Sequence, residues 1–217
     1  SEMAATRDDI LKYDDGVNFD AIGLTAGGTF MTAAYWPSSV MGAYAGQFVK
    51  QVEIYANDLS SDLSIMIWDE GTSSEPGAVL YTQPFVPPAI GWFTVVLASP
   101  VAISGDDLWI GYEIANQPAG TYPAGCDNGP AIAGYGDMIG APAIGLPWSS
   151  MNSLGLPYNW NIHALVGAGG GGASGWLTLD QYAGYVAPGG GTVNIGTNFN
   201  AAGTVAGEVY HADIVIT

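Results

Sequence analysis

The feature that most constrains this chain is a set of short apolar runs that alternate with a period of two. In Val49–Ala56 (VKQVEIYA), Val52, Ile54 and Ala56 fall on one side of an extended backbone. Leu63–Trp68 (LSIMIW) places Leu63, Ile65 and Ile67 together, and Trp160–Val166 (WNIHALV) does the same with Trp160, Ile162, Ala164 and Val166. Trp92–Leu97 (WFTVVL) and Leu108–Ile114 (LWIGYEI) are rich in β-branched and aromatic residues, which suit a pleated, half-buried surface. The spacers ANDLSSD, DEGTSSEPG, PPAIG and SGDD carry turn chemistry. No stretch shows a sustained helical period, and Asp8–Lys12 could make one short helical turn at most. Short strands at such spacing predict an all-β fold, a jelly-roll-like antiparallel β-sandwich. Composition agrees: Gly 32 and Pro 13 are high in 217 residues, and Lys and Arg, both good helix formers, number only 3 together.

The alternation stops twice. Ala115–Asn159 is dominated by Gly, Pro and Ala with aromatic residues between them. A segment of that length is expected to be a functional or self-packed loop, and it is too apolar for a disordered linker. Residues 167–174 then form a Gly-rich linker (GAGGGGAS). Beyond it, Trp176–Leu179, Thr192–Phe199 and Val209–Thr217 read as strands. Val193, Ile195, Thr197 and Phe199 share one face, as do Tyr210, Ala212, Ile214 and Ile216. The expected organisation is a sandwich over residues 1–166, the linker, and a partial immunoglobulin-like sandwich over 175–217. The last piece is less than half of an ordinary domain of that kind, which has about 100 residues.

Charge excludes some partners. With 20 acidic residues against 3 basic ones, the net charge is −17. Arg7, Lys12 and Lys50 form no cluster, so binding to nucleic acid phosphates and to anionic membrane surfaces is disfavoured. No apolar run has the length of a membrane-spanning helix, so direct insertion is not expected. An acidic surface suits screened, extracellular water. SEMAATRDDI has no apolar signal core, so any signal peptide is expected to have been removed or to lie outside this sequence. The single cysteine, Cys126, cannot form a disulfide within the chain and is expected as a small buried residue.

Catalytic chemistry finds little support. The two histidines, His163 and His211, are far apart, there is no HExxH, and both alternate onto the outward side of their strands. No GxSxG elbow is present, no pair of carboxylates is marked by spacing, and GAGGGG lacks the Lys-Ser/Thr of a phosphate loop. Two binding chemistries remain. Asp14, Asp15, Asn18 and Asp20 lie in one short segment, so calcium is a candidate ligand with Asp14, Asp15 and Asp20 as first ligands. The alternative is that Asp sits in turns because turns favour it. Sugars stack on flat aromatic faces beside polar groups. Trp148, Tyr158 and Trp160 lie at or near the end of the long loop, and Tyr122 and Tyr135 lie within it. These five are the candidate ligand-binding residues, unless their rings fill a small core of the loop itself.

Two resemblances follow from particular motifs. The series YDDGVNFDAIGLTAGGTF, QVEIYANDLSSDLSIMIWDEGTSSEPGAVLYTQPF, GWFTVVLASPVAISGDDLWIGYEI, YPAGCDNGPAIAGYGDM and YNWNIHALV, over residues 13–166, resembles a β-sandwich module of large secreted bacterial proteins. Those proteins include adhesins and peptidases exported by the type IX route. The resemblance implies an accessory or anchoring role rather than catalysis. The tail, with Trp176, Pro188, Gly189, Phe199, Gly207, Tyr210 and Ile214, resembles part of a bacterial immunoglobulin-like repeat, departing from it at Gln181-Tyr182-Ala183. Together these readings predict a non-catalytic adhesion or structural module at the cell surface or outside the cell. Completion of its C-terminal β domain by another segment or chain, itself included, would let it assemble. The alternative expectation is a carbohydrate-binding module of a larger secreted enzyme, with polysaccharide as partner.

Overall fold

The structure, a computed structural model, describes residues 8–168 and, beyond them, the backbone of two short strands. The chain divides into two compact units, residues 1–168 and 169–217. No helix among the described residues is long and apolar enough to cross a membrane.

The first unit contains β1 (Asp9–Leu11), β2 (Asp20–Ile22), β3 (Gly28–Trp36), β4 (Phe48–Ala56), β5 (Asp62–Asp69), β6 (Gly71–Thr72) and β7 (Glu75–Pro76). It continues with β8 (Val79–Phe85), β9 (Gly91–Ala102), β10 (Leu108–Gln117), β11 (Ala124–Cys126), β12 (Met138–Ala141), β13 (Leu146–Ser150) and β14 (Ile162–Gly167). One short α-helix, α1 (Ser38–Met41), follows Pro37, and the other helical elements among the described residues are the 3-10 turns Gly42–Tyr44, Pro142–Ile144 and Met151–Leu154. The strands form two six-stranded antiparallel sheets. The first has the order β1-β14-β4-β11-β2, with β9 also paired to β4. The second has the order β13-β12-β3-β10-β5-β8. The fold is therefore an all-β sandwich.

The two-residue period decides which side chains enter the core. Val52, Ile54 and Ala56 of β4 and Ile162, Ala164 and Val166 of β14 point inward from the first sheet. Leu63, Ile65 and Ile67 of β5 and Leu108, Ile110, Tyr112 and Ile114 of β10 meet them from the second. Full burial of each large aliphatic side chain contributes about 1.5–3 kcal/mol. Cys126 sits in this core, fully enclosed.

The open margin between the sheets is closed by side chains. Gln83 of β8 donates from Nε2 to the Val96 carbonyl (3.2 Å). The Ala98 amide of β9 donates to Gln83 Oε1 (2.9 Å) and to the Tyr81 hydroxyl (3.0 Å). The edge of each sheet thus blunts the other, which removes a template for stray strand pairing.

Two local expectations are corrected. Asp8–Lys12 makes no helical turn: Asp9–Leu11 is an edge strand, in register with Val166, Leu165 and Ala164 of β14. Its pattern is too short to show a period, and the pairing is supplied from the other end of the unit. The segment Ala115–Asn159 is not one loop. It ends β10 and supplies β11 to the first sheet and β12 and β13 to the second. Its glycines let strands approach closely. At Gly140, for example, an added Cβ would lie 2.8 Å from the Trp148 ring.

In the second unit the described elements are β15 (Leu177–Leu179) and β16 (Thr197–Phe199), paired antiparallel. The other residues read as the partial immunoglobulin-like sandwich, Val209–Thr217 and His211 among them, lie outside the described residues.

Candidate functional site

The outer face of the first sheet presents side chains from four adjacent strands in rows set by the register. One row runs Ile10 (β1), Leu165 (β14), Gln51 (β4) and Val96 (β9). The next runs His163 (β14), Glu53 (β4) and Thr94 (β9). Beyond it lie Tyr55 (β4) and Trp92 (β9), paired in register with their rings edge to face at 5.7 Å. A polar row is thus held between an aliphatic row and an aromatic pair. Ile10 and Val96, at the two ends of the aliphatic row, are 61% and 57% exposed.

A shallow, solvent-open groove of about 170 Å³ follows these rows, lined by Ile10, Gln51, Glu53, Thr94, His163 and Leu165. That is smaller than the ~300–1,000 Å³ of sites that enclose a small molecule, so a ligand here would lie along the surface. Three strand spacings make the platform roughly 14 Å across.

His163 is the fixed point of the groove. Its Nδ1–H donates to Glu53 Oε2 (2.8 Å) and its Nε2–H to Asp14 Oδ1 (2.9 Å). A carboxylate only accepts, so holding both requires a proton on each ring nitrogen, the imidazolium form. Burial pulls its pKa down, but the hydrogen bond and charge of Asp14, joined by those of Glu53, outweigh burial. The pKa stands above the ordinary histidine value. Trp92 stacks on the ring, with centroids 4.4 Å apart and planes at 23°, a cation–π geometry. The Thr94 hydroxyl donates to Glu53 Oε1 (3.0 Å). His163 keeps no free lone pair with which to take a proton from a nucleophile. Gln51, half-buried, also lines the groove.

Of the acidic residues expected to bind calcium, Asp14 is enclosed behind His163. Its Oδ1 also accepts the Gly16 amide (2.7 Å), while Oδ2 has no partner. Asp15 accepts the Val17 amide two residues on, and Asp20, the first residue of β2, accepts the amide of the adjacent Ala21. Among the described residues no group of three or more His, Cys, Asp or Glu is arranged to hold a metal ion.

The five aromatic candidates do not converge. Trp160 is a core residue, 1% exposed, with Nε1 donating to the Met138 carbonyl (2.8 Å), so it offers no face to a ligand. Trp148 and Tyr135 cover the outer face of the second sheet. Trp148 meets Trp68 and Trp109 edge to face, each at 5.7 Å, and Tyr135 stacks on Tyr35 at 5.7 Å. Trp148, Trp68, Trp109 and Tyr35, with Ala33, Met31, Met66 and Met138, make a second small core outside the sandwich, and Tyr135 lies exposed at its margin. Tyr158 packs beside Phe19, and Tyr122 stands alone, 46% exposed. The groove residues His163, Glu53, Gln51 and Thr94, and Trp92 stacked beside them, are not among the binding residues expected from sequence. His163 alternates outward as expected, but its partners lie 110 and 149 residues away, and no local pattern announces them.

No protein-family model matches the sequence, and no curated protein is similar to it. A solved structure is similar in fold: the crystal structure of the cysteine protease and lectin-like domains of Cwp84, a surface layer associated protein of Clostridium difficile. The TM-score is 0.50 at 11% identity, over 66% of this chain and 33% of that one. The chain thus spans about a third of the structure it matches, and the likeness is one of fold.

Proposed function

We propose that this chain is a non-catalytic binding module of a secreted or surface-attached protein, and that the groove on the outer face of its first sheet binds polysaccharide. One observation carries this reading. The groove sets Gln51, Glu53 and Thr94 beside the CH surfaces of Ile10 and Leu165, while its histidine is saturated by two carboxylates. Hydroxyl groups of a sugar need planar polar partners, and its CH faces need apolar ones. The paired His163 is not placed as a free general base. An extracellular setting is supported by the net charge of −17 and by the surface-layer context of the structural neighbour. The resemblance to sandwich modules of type IX-exported proteins adds to the same reading. Electrophoresis through gels cast with neutral and amine-bearing polysaccharides tests it. Retardation that is lost in Gln51→Ala is expected, and uniform mobility in every gel would overturn the reading.

A further inference from the structure

We propose that the groove selects a sugar bearing a free, protonated amine. This inference rests on the polysaccharide-binding reading and names its ligand class. Glu53 is the one carboxylate that lines the groove, and its side chain is 36% exposed. Each of its oxygens accepts a single hydrogen bond, Oε1 from Thr94 and Oε2 from His163. A carboxylate oxygen has room for two, so one acceptor position on each remains for a ligand donor.

Charge decides which donor. The cluster holds two carboxylates, Asp14 and Glu53, and one imidazolium, a net charge of −1. Asp14 is fully enclosed, with Oδ2 unpartnered, so its charge is poorly screened by water. None of the six lining residues is Lys or Arg. An acidic sugar would meet this field with no free cationic donor in the lining, because both N–H groups of the His163 imidazolium are already engaged. An ammonium group would find Glu53, with the Gln51 side-chain carbonyl one position along the same strand face. Charge-assisted hydrogen bonds of this kind are about twice as strong as neutral ones. Ile10 and Leu165 would support the sugar ring beside it.

The test compares two short ligands that differ only in the amine: a β-1,4-linked glucosamine tetramer and its fully N-acetylated counterpart. Both are titrated calorimetrically into the full chain at physiological salt. The free-amine tetramer is expected to bind about tenfold more tightly. Glu53→Gln should bring the two ligands to near parity, whereas Glu75→Gln, the same charge change on the remote β6–β7 ribbon, should keep the preference. Gln51→Glu adds a carboxylate without touching His163 and should increase the preference, which keeps the test valid if Glu53→Gln folds poorly. Equal or tighter binding of the N-acetylated tetramer overturns the proposal and leaves polysaccharide binding standing. An equal loss of preference in Glu53→Gln and Glu75→Gln assigns the effect to overall charge and also overturns it. Binding of neither tetramer overturns it as well, and the polysaccharide gels then decide the broader reading independently.

Discussion

His163 Nε2 lies 2.9 Å from Asp14 Oδ1, so a β14 side chain holds the loop that follows β1. The bond requires the imidazolium, and the folded pKa is raised above the ordinary value of 6.5 because Asp14 and Glu53 outweigh burial. A proton held more tightly in the folded state stabilises the fold fully below about pH 6.5. That contribution is lost as pH rises through the folded pKa. Thermal unfolding should therefore show a fall in Tm with rising pH that begins near neutrality. The same series on His163→Gln should be flatter over that window. A wild-type Tm that rises there would contradict the paired imidazolium.

At fixed pH 6, His163→Gln should also destabilise the chain by roughly 1–3 kcal/mol, because it leaves the enclosed Asp14 without its charged donor. Denaturant titration measures this. Asp14→Asn should cost less, since the amide can still accept a hydrogen bond from the ring and buries no charge.

Trp148→Ala is expected to lower stability and leave glycan retardation intact. The ring caps Trp68 and Trp109 on the second sheet, while the groove lies on the outer face of the first. Removing a large, half-buried ring from a packed cluster should cost about 2–4 kcal/mol. Loss of retardation without loss of stability would instead place the ligand on Trp148.

The alternating runs were legible because each strand buries one face. Trp160, Ile162, Ala164 and Val166 all enter the core, as the period requires. LWIGYEI in β10 reads as nearly continuous apolar sequence for a different reason. Its inner residues meet the first sheet, and Trp109 on its outer face is covered by Trp148 and Tyr35. That cover comes from β13 and β3, so local sequence does not reveal it. The groove was illegible for a related reason: Ile10, Gln51, Thr94 and His163 come from four strands, and only register makes them neighbours. β11 and β12 hid because they are only 3 and 4 residues long and buried on both faces, so no alternation shows.

Cys126 should be inert in the folded protein. Its thiol is fully enclosed, and burial, with the nearby charges of Asp20 and Asp127, pushes its pKa up to about 12. The reactive species is the thiolate, so almost none is present at pH 8. A chromogenic disulfide reagent at pH 8 should titrate no thiol in the native chain and one thiol after denaturation. Rapid native labelling would place Cys126 at the surface.

Asp127 organises the turn that leads from β11, and its removal should be among the most damaging of the polar substitutions. The side chain is 2% exposed. Oδ1 accepts the Gly129 and Asn159 amides, each at 2.8 Å, and Oδ2 accepts the Asn159 side-chain amide at 2.9 Å. Asn159 in turn receives the Ile132 amide on Oδ1 (2.6 Å) and donates to the Pro130 carbonyl (3.1 Å), so one carboxylate fixes both ends of the segment between β11 and β14. Asp127→Ala leaves the Gly129 and Asn159 amides without partners and takes from the Asn159 side-chain amide one of its two acceptors, and each unsatisfied buried group costs about 1–3 kcal/mol before water relieves it. A net loss of about 3 kcal/mol in denaturant titration is expected, with faster hydrogen exchange at Gly129, Ile132 and Asn159. Asp127→Asn, which keeps an acceptor oxygen on the same stem, should lose about half as much. If Asp127→Ala is as stable as the parent chain, the turn is held by its backbone alone.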